Sequence, residues 1–177
     1  DAVIEVQDMF DEKAEAVGID LTIDVDSLAH PQVVTDPLRL NQILVNTVGN
    51  AVKFTPEDGR ITMKVHEAVY ASGNEAVLTV SIADTGCGMT SETLAHIFDA
   101  FFTTKAAGEG TGLGLSVVQN ILISHGGFIE AHSTVGEGSE FLVYLPVTAQ
   151  AVAPERPAAP GAPVRLNSGK QPILLVD

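Results

Sequence analysis

Gly108-Glu-Gly-Thr-Gly-Leu-Gly-Leu115 sets four glycines at alternate positions and runs straight into the apolar Leu115-Ser-Val-Val118. One turn does not need four glycines. Glycines ahead of a helix leave backbone N–H groups open to an anion, and the helix dipole adds to that attraction. A flexible loop is the plainer alternative, but the run abuts a strong helical pattern from Thr111 to about His125, closed by Gly126-Gly127. Two familiar phosphate motifs do not fit. No G-x-x-x-x-G-K-[ST] occurs, and no pair of glycines completes G-x-G-x-x-G. The order of elements also departs from regular βαβ units.

Upstream, Asp36-Pro37 opens a helix that reaches about Phe54 and stops near Pro56, with Asp36 as N-cap and Pro37 at the first helical position. Leu40, Ile43, Leu44, Val48, Ala51 and Val52 make its core stripe. Asn46, Asn50 and Lys53 fall at i, i+4 and i+7 and share another face. Two asparagines alone read as a solvated polar face, at some cost in helix stability. With the lysine they also read as a metal–phosphate site, because amide oxygens are hard ligands suited to Mg²⁺. Between helix and glycine run lies Val80–Met89, VSIADTGCGM, where a buried strand ends at Asp84 and passes into Gly86 and Gly88. A common strand-to-turn Asp-x-Gly has this form. So does a site where a flat ligand approaches the backbone and donates an exocyclic amine hydrogen to the carboxylate.

The remaining pattern fills in an α/β domain. Val3, Val6, Met9, Phe10 and Ala14 mark a first helix, stopped at Gly18. Leu21–Val25, Val33–Thr35, Arg60–His66, Ala76–Ala83, Phe128–Ser133 and Glu140–Val147 read as strands, with turns at Ala71–Asn74 and Gly136–Gly138. Ser91–Ile97 reads as a short helix and Asp99–Gly110 as a mobile loop. After Val147, residues 148–171 become an Ala/Pro-rich linker. The last six, 172–177 (PILLVD), look like the first strand of a further domain.

Charge narrows the function classes. The formal net charge is −14; residues 1–147 hold 21 acidic and six basic side chains, and residues 148–177 hold two and three. So acidic a surface argues against nucleic-acid binding, which phosphate neutralisation dominates. A bound phosphate chain must be met by a metal ion, backbone N–H groups and the few lysines present. No stretch of about 18 apolar residues predicts a membrane span, and DAVIEVQDMF lacks the basic-then-apolar form of a signal peptide. The single cysteine, Cys87, allows no internal disulfide, which fits a reducing cytoplasm.

Together these segments resemble the ATP-binding domain of histidine kinases, within the group shared with DNA gyrase, mismatch-repair ATPases and heat-shock chaperones. The resemblance spans residues 1–147 and rests on five boxes in order: Asn46–Thr55, Asp84–Gly88, Ile97–Lys105, Gly108–Leu115 and Ser133-x-x-Gly136-x-Gly138-Ser139-x-Phe141. It implies a Bergerat fold, a two-layer sandwich of a mixed sheet of about five strands with about three helices on one face. It implies ATP and Mg²⁺ as ligands. Asp84 would bind the adenine amine, with Gly86 and Gly88 beside it. Asn50 would coordinate Mg²⁺, with Asn46 near it as a possible second ligand, and Lys53 would contact a phosphate. Phe54 would line the pocket. Residues 99–112 would form a lid in which Thr104, Lys105, Gly110, Thr111 and Gly112, followed by Leu113 and Gly114, meet the nucleotide.

Gyrase-like and chaperone-like ATPases carry a general-base Glu four residues before the Mg²⁺ asparagine. Here that position is Asn46, which cannot activate water, so the resemblance implies a kinase. None of His30, His66, His96, His125 and His132 lies in a His-Glu/Asp-x-x-x-Pro context. The phosphoacceptor is therefore expected on a separate helical dimerisation domain, and the 172–177 strand hints at a receiver domain in a hybrid kinase. A nucleotide-sensing module that no longer catalyses, and an anti-sigma-type serine kinase of the same fold, are the alternatives.

Overall fold

The computed structural model describes residues 2–25, 33–34, 36–69, 75–104 and 110–149. Their elements run α1 (Ala2–Ala16), β1 (Asp20–Val25), β2 (Val33–Val34), α2 (Pro37–Phe54), β3 (Arg60–Val69), β4 (Glu75–Asp84), α3 (Ser91–His96), α4 (Gly114–Ser124), β5 (Phe128–Thr134) and β6 (Gly138–Ala149). The strands join in one mixed sheet, β1-β3-β4-β6, and both β5 and β2 pair with β6. β1 is parallel to β3, and every other pairing is antiparallel. The expected two-layer α/β sandwich forms. Beyond five strands of ordinary length it has the two-residue β2, and beyond three long helices the six-residue α3.

Local chemistry sets the elements. Asp36 caps α2, its carboxylate accepting from Leu38 N (3.0 Å) and Arg39 N (3.3 Å), and Pro37 supplies a first helical position that needs no N–H partner. The helix ends at Thr55, whose hydroxyl donates to the Ala51 carbonyl at 2.7 Å, one residue before Pro56. Thr90 caps α3 by accepting from Thr93 N. His125 closes α4: its N–H donates to Ile121 and Leu122 carbonyls, and its ring Nδ1 lies 2.8 Å from the Ile121 carbonyl.

Alternation along the strands splits the sheet into two faces. Ile61, Met63 and Val65 of β3, Leu78, Val80 and Ile82 of β4, and Val143 and Leu145 of β6 are buried on one face. Against them pack Val6, Phe10 and Ala14 of α1, Ile43, Leu44, Val48 and Ala51 of α2, and Val118, Ile121 and Leu122 of α4. Val52, expected in the α2 stripe, is partly buried, and Thr47 joins the stripe by donating its hydroxyl back to Ile43 O at 2.8 Å. Met9 is exposed rather than core. The other sheet face carries Lys64, Ser81, Glu140 and the stacked pair Phe128–Tyr144, with ring centroids 4.4 Å apart.

Several boundaries differ from the sequence reading, most by one or two residues. α4 starts at Gly114, not Thr111, because Gly112 takes φ +65 and interrupts the helix. β3 extends to Val69. β6 extends to Ala149, since Thr148 and Ala149 pair with Val34 and Val33 of β2. His30, the turn at Ala71–Asn74, Lys105, Gly108, the linker from Gln150 onward and residues 172–177 lie outside the described residues.

Leu44 has no exposed surface and faces the sheet from the middle of α2. Truncating it leaves a cavity between the layers, so Leu44→Ala is expected to cost about 2–5 kcal/mol in chemical denaturation. A loss under about 1 kcal/mol would contradict its place in the core.

Candidate functional site

A cavity of about 1010 Å³ opens between α2, the end of β4 and the segment leading into α4. Its wall takes Asn46, Asn50, Lys53 and Phe54 from α2, Asp84 from β4, and Gly88 just beyond it. From the lid side come Thr104, Gly110, Thr111, Gly112 and Gly114. Residues far apart in sequence thus meet because the shared face of α2 looks onto the open end of β4. Gly86 and Leu113 are not on that wall, and Lys105 lies outside the described residues. Among the described wall residues the cations are Lys13 and Lys53 and the only carboxylate is Asp84. The wall is therefore slightly positive inside a strongly acidic domain, and can face a polyanion.

Asp84 is 8% exposed. Its Oδ1 accepts from Gly86 N at 2.8 Å, and Ser139 N–H also bonds to it. Burial pushes its pKa above the ordinary 3.8, outweighing the two N–H groups, which pull it down. The β4–β6 register puts Ser139 directly across from Asp84. Ser139, a member of the closing box with Gly136 and Gly138, lines the cavity as well; its place across from Asp84 comes from the strand register.

The strand-end glycines allow close packing of the protein's own backbone. A Cβ on Gly88, at φ +65, would land on the Thr134 carbonyl oxygen, and one on Gly86 would sit 2.6 Å from the Phe54 carbonyl oxygen. Close packing there draws the α2 terminus, the β4 exit and the β5–β6 turn together. Cys87 joins them too: its N–H donates to Phe54 O (3.3 Å) and its carbonyl accepts from Gly136 N (2.8 Å).

The segment leading into α4 is clipped to Phe101. Phe101 N donates to Gly112 O at 2.9 Å, and both residues sit at positive φ, 69° and 65°. A Cβ on Gly112 would land on the Phe101 backbone. His96 and Asp99 brace the entry with a 2.7 Å contact, and the His96 ring lies 5.7 Å from that of Phe102. This brace has no sequence motif of its own.

Asn46 donates from Nδ2 to Gln42 O at 2.8 Å, and a Cβ on Gly114, at the start of α4, would lie 3.3 Å from its Oδ1. That start has no side-chain cap, unlike α2 and α3. The first backbone-to-backbone bond there runs from Val117 N to Leu113 O, so the preceding N–H groups of α4 have no partner within the helix and lie beside the cavity. Backbone donors, an uncapped helix start, amide oxygens and a lysine together form a surface that can hold phosphates and a hard cation.

The profile described as histidine kinase-, DNA gyrase B- and HSP90-like ATPase matches residues 35–149. The chain belongs to this family. It is 47% identical over 119 residues to the sensor histidine kinase ZraS of Klebsiella oxytoca, covering 67% of this chain and 24% of that protein. It therefore spans about a quarter of the length of that relative. The catalytic domain of the histidine kinase ThkA superposes with a TM-score of 0.69 at 33% identity, over 82% of this chain and 90% of ThkA's. Full-length ShkA in complex with AMPPNP superposes with a TM-score of 0.72 at 33% identity, over 85% of this chain and 30% of ShkA's.

The raised pKa of Asp84 has a consequence for stability. Folding favours its protonated form, so the stability it contributes is full below its unfolded value and is lost as pH rises through the folded one. Asp84→Asn does not titrate. In the nucleotide-free protein its melting temperature should gain on the parent's as pH rises above the ordinary 3.8 and through the raised pKa of Asp84. A gap that stays constant, or turns against the variant, contradicts a desolvated carboxylate.

Proposed function

We propose that this chain is the catalytic ATP-binding domain of a sensor histidine kinase. It presents the γ-phosphate of Mg–ATP to a histidine on a separate dimerisation and phosphoacceptor domain. The observation that carries this reading is the meeting of Asn46, Asn50, Lys53, Asp84, Gly112 and Gly114 on one cavity wall. The likeness to histidine kinases over most of the chain, one of them solved with AMPPNP, supports it.

Asp84 accepts a hydrogen from the adenine amine, and Gly86 holds that carboxylate in place. Phe54 covers the base. Asn50 offers an amide oxygen to Mg²⁺, with Asn46 beside it, and Lys53 meets a phosphate. The lid, with Thr104, Lys105, Gly110, Thr111 and Leu113, closes over the phosphate chain. Among the described residues no group of three or more His, Cys, Asp or Glu could hold a metal ion. Asn50, with Asn46 beside it, would hold such an ion together with the nucleotide phosphates. When bound, Mg²⁺ offsets the charge of the transferring phosphoryl group. The chain's own part is to orient the nucleotide and exclude water. With Asn46 where a hydrolase needs a carboxylate base, water is left unactivated and the γ-phosphate is kept for the acceptor.

The downstream partner is a receiver. ThkA has been solved in complex with the response regulator TrrA, at 29% identity and a TM-score of 0.65 over 82% of this chain and 39% of ThkA's. Residues 172–177 would begin such a receiver within the same protein, after the linker. No helix among the described residues is long and apolar enough to cross a membrane. The domain would work in the cytoplasm, where ATP is available.

Calorimetry should show Mg²⁺-dependent binding of ATP and ADP, and the chain alone should form no acid-labile phosphate. Adding a matching phosphoacceptor hairpin should produce it. Asp84→Asn should weaken ADP binding roughly ten- to hundredfold, the range for a lost hydrogen bond to a charged group. Asn50→Asp should disturb the Mg²⁺ dependence of ADP binding. Folded parent protein that binds neither nucleotide overturns the proposal, and two variants that bind like the parent overturn the assignment of residues.

A further inference from the structure

Ser133 lies one strand away from the cavity, yet its hydroxyl decides how a cavity residue presents itself. In the sheet, Asp84, Ser139 and Ser133 form one cross-strand row: Ser139 faces Asp84 on one side and Ser133 on the other. Ser133 Oγ has three polar neighbours. Met89 N donates to it at 2.8 Å, it donates to Gly138 O at 2.9 Å, and Ser139 Oγ lies 3.0 Å away. A serine hydroxyl has one hydrogen and two acceptor sites. The hydrogen goes to Gly138 O, so Ser139 must donate to Ser133. The hydroxyl hydrogen of Ser139 is thereby used up inside the protein, and what Ser139 can still offer the cavity is a lone pair.

We infer that Ser133 is a positioning residue that fixes the Ser139 hydroxyl as a hydrogen-bond acceptor beside Asp84, and so makes the site prefer a purine with a 6-amino group over one with a 6-carbonyl. The inference rests on the nucleotide reading of the cavity. An amino group brings two hydrogens to a pair of acceptors, directly or through a bridging water. A carbonyl in the same place faces two acceptors and finds no donor, and an unpaired buried polar group is costly. The same hydroxyl ties three segments together: the exit of β4 at Met89, β5 through Ser133 itself, and the start of β6 at Gly138. Without it, Ser139 Oγ–H is free to turn toward the cavity and donate to a carbonyl.

The test compares ADP with IDP, which differ in that amino-to-carbonyl change and in the hydrogen it places on N1, by calorimetry on the whole chain with Mg²⁺; the N1 difference is the same for parent and variant, so a change in the ratio reads the 6-position. The parent should prefer ADP. Ser133→Ala should reduce the ADP-to-IDP affinity ratio about tenfold or more, the scale of one polar mismatch. Ser133→Thr, which keeps the hydroxyl, should restore it. Should Ser133→Ala not fold by circular dichroism, Ser133→Cys, a weak donor of similar shape, carries the comparison, with the same fall expected. A ratio unchanged in the variant overturns the inference while leaving the nucleotide site standing, as does an equal loss of both nucleotides, the mark of a purely structural serine. A parent that binds ADP and IDP alike overturns it too. A parent that binds neither overturns the nucleotide reading itself.

Discussion

A carboxylate held away from water at the end of a central strand organises the rest of this domain. Taking Asp84 out of solvent is unfavourable, and its oxygens must find fixed donors. The backbone supplies them. Gly86 N–H reaches back to Oδ1, and Ser139 N–H comes from the neighbouring strand. Both depend on tight chain geometry: a Cβ on Gly138 would land on the Asp84 carbonyl oxygen, so the β6 strand can approach only with glycine at that point. The hairpin of β5 and β6, the turn after β4 and the C-terminal end of α2 are drawn together around this one acid.

Those donors are neutral amides, which steady the carboxylate without cancelling its charge. It stays ready to accept from a ligand that brings its own hydrogen. The opposite logic holds elsewhere on the same wall. There Lys53, the amides of Asn46 and Asn50 and the uncapped start of α4 favour negative charge. One groove thus offers a buried acceptor together with donors and cations. A nucleotide has the matching polarity, with an amine-bearing base and a phosphate chain.

Much of this was legible in the sequence wherever local chemistry decides. Asp36-Pro37 and the stripe from Leu40 to Ala51 announced α2, and the i, i+4, i+7 spacing placed Asn46, Asn50 and Lys53 on one face. Asp84 was readable as a strand-end acid. What could not be read depends on which strands become neighbours. Ser133 and Ser139 stand in the closing box of the sequence, but only the register sets them in a row with Asp84. The glycines carry a further constraint. A Cβ on Gly86 or Gly88 would meet neighbouring backbone, so the packing of the chain itself calls for glycine there. The helix read from Thr111 begins only at Gly114, because Gly112 takes a left-handed backbone and pairs with Phe101.

The central claim is that the base end of a nucleotide sits on Asp84 and its phosphate end beneath the start of α4. A crystal structure of this chain with AMPPNP and Mg²⁺ tests it most directly. The account predicts the adenine amine within hydrogen-bond distance of an Asp84 oxygen, the metal on Asn50 Oδ1, and the phosphates against Lys53 and the first N–H groups of α4. A nucleotide bound in the reverse sense, or outside the groove between α2 and the lid, would contradict it.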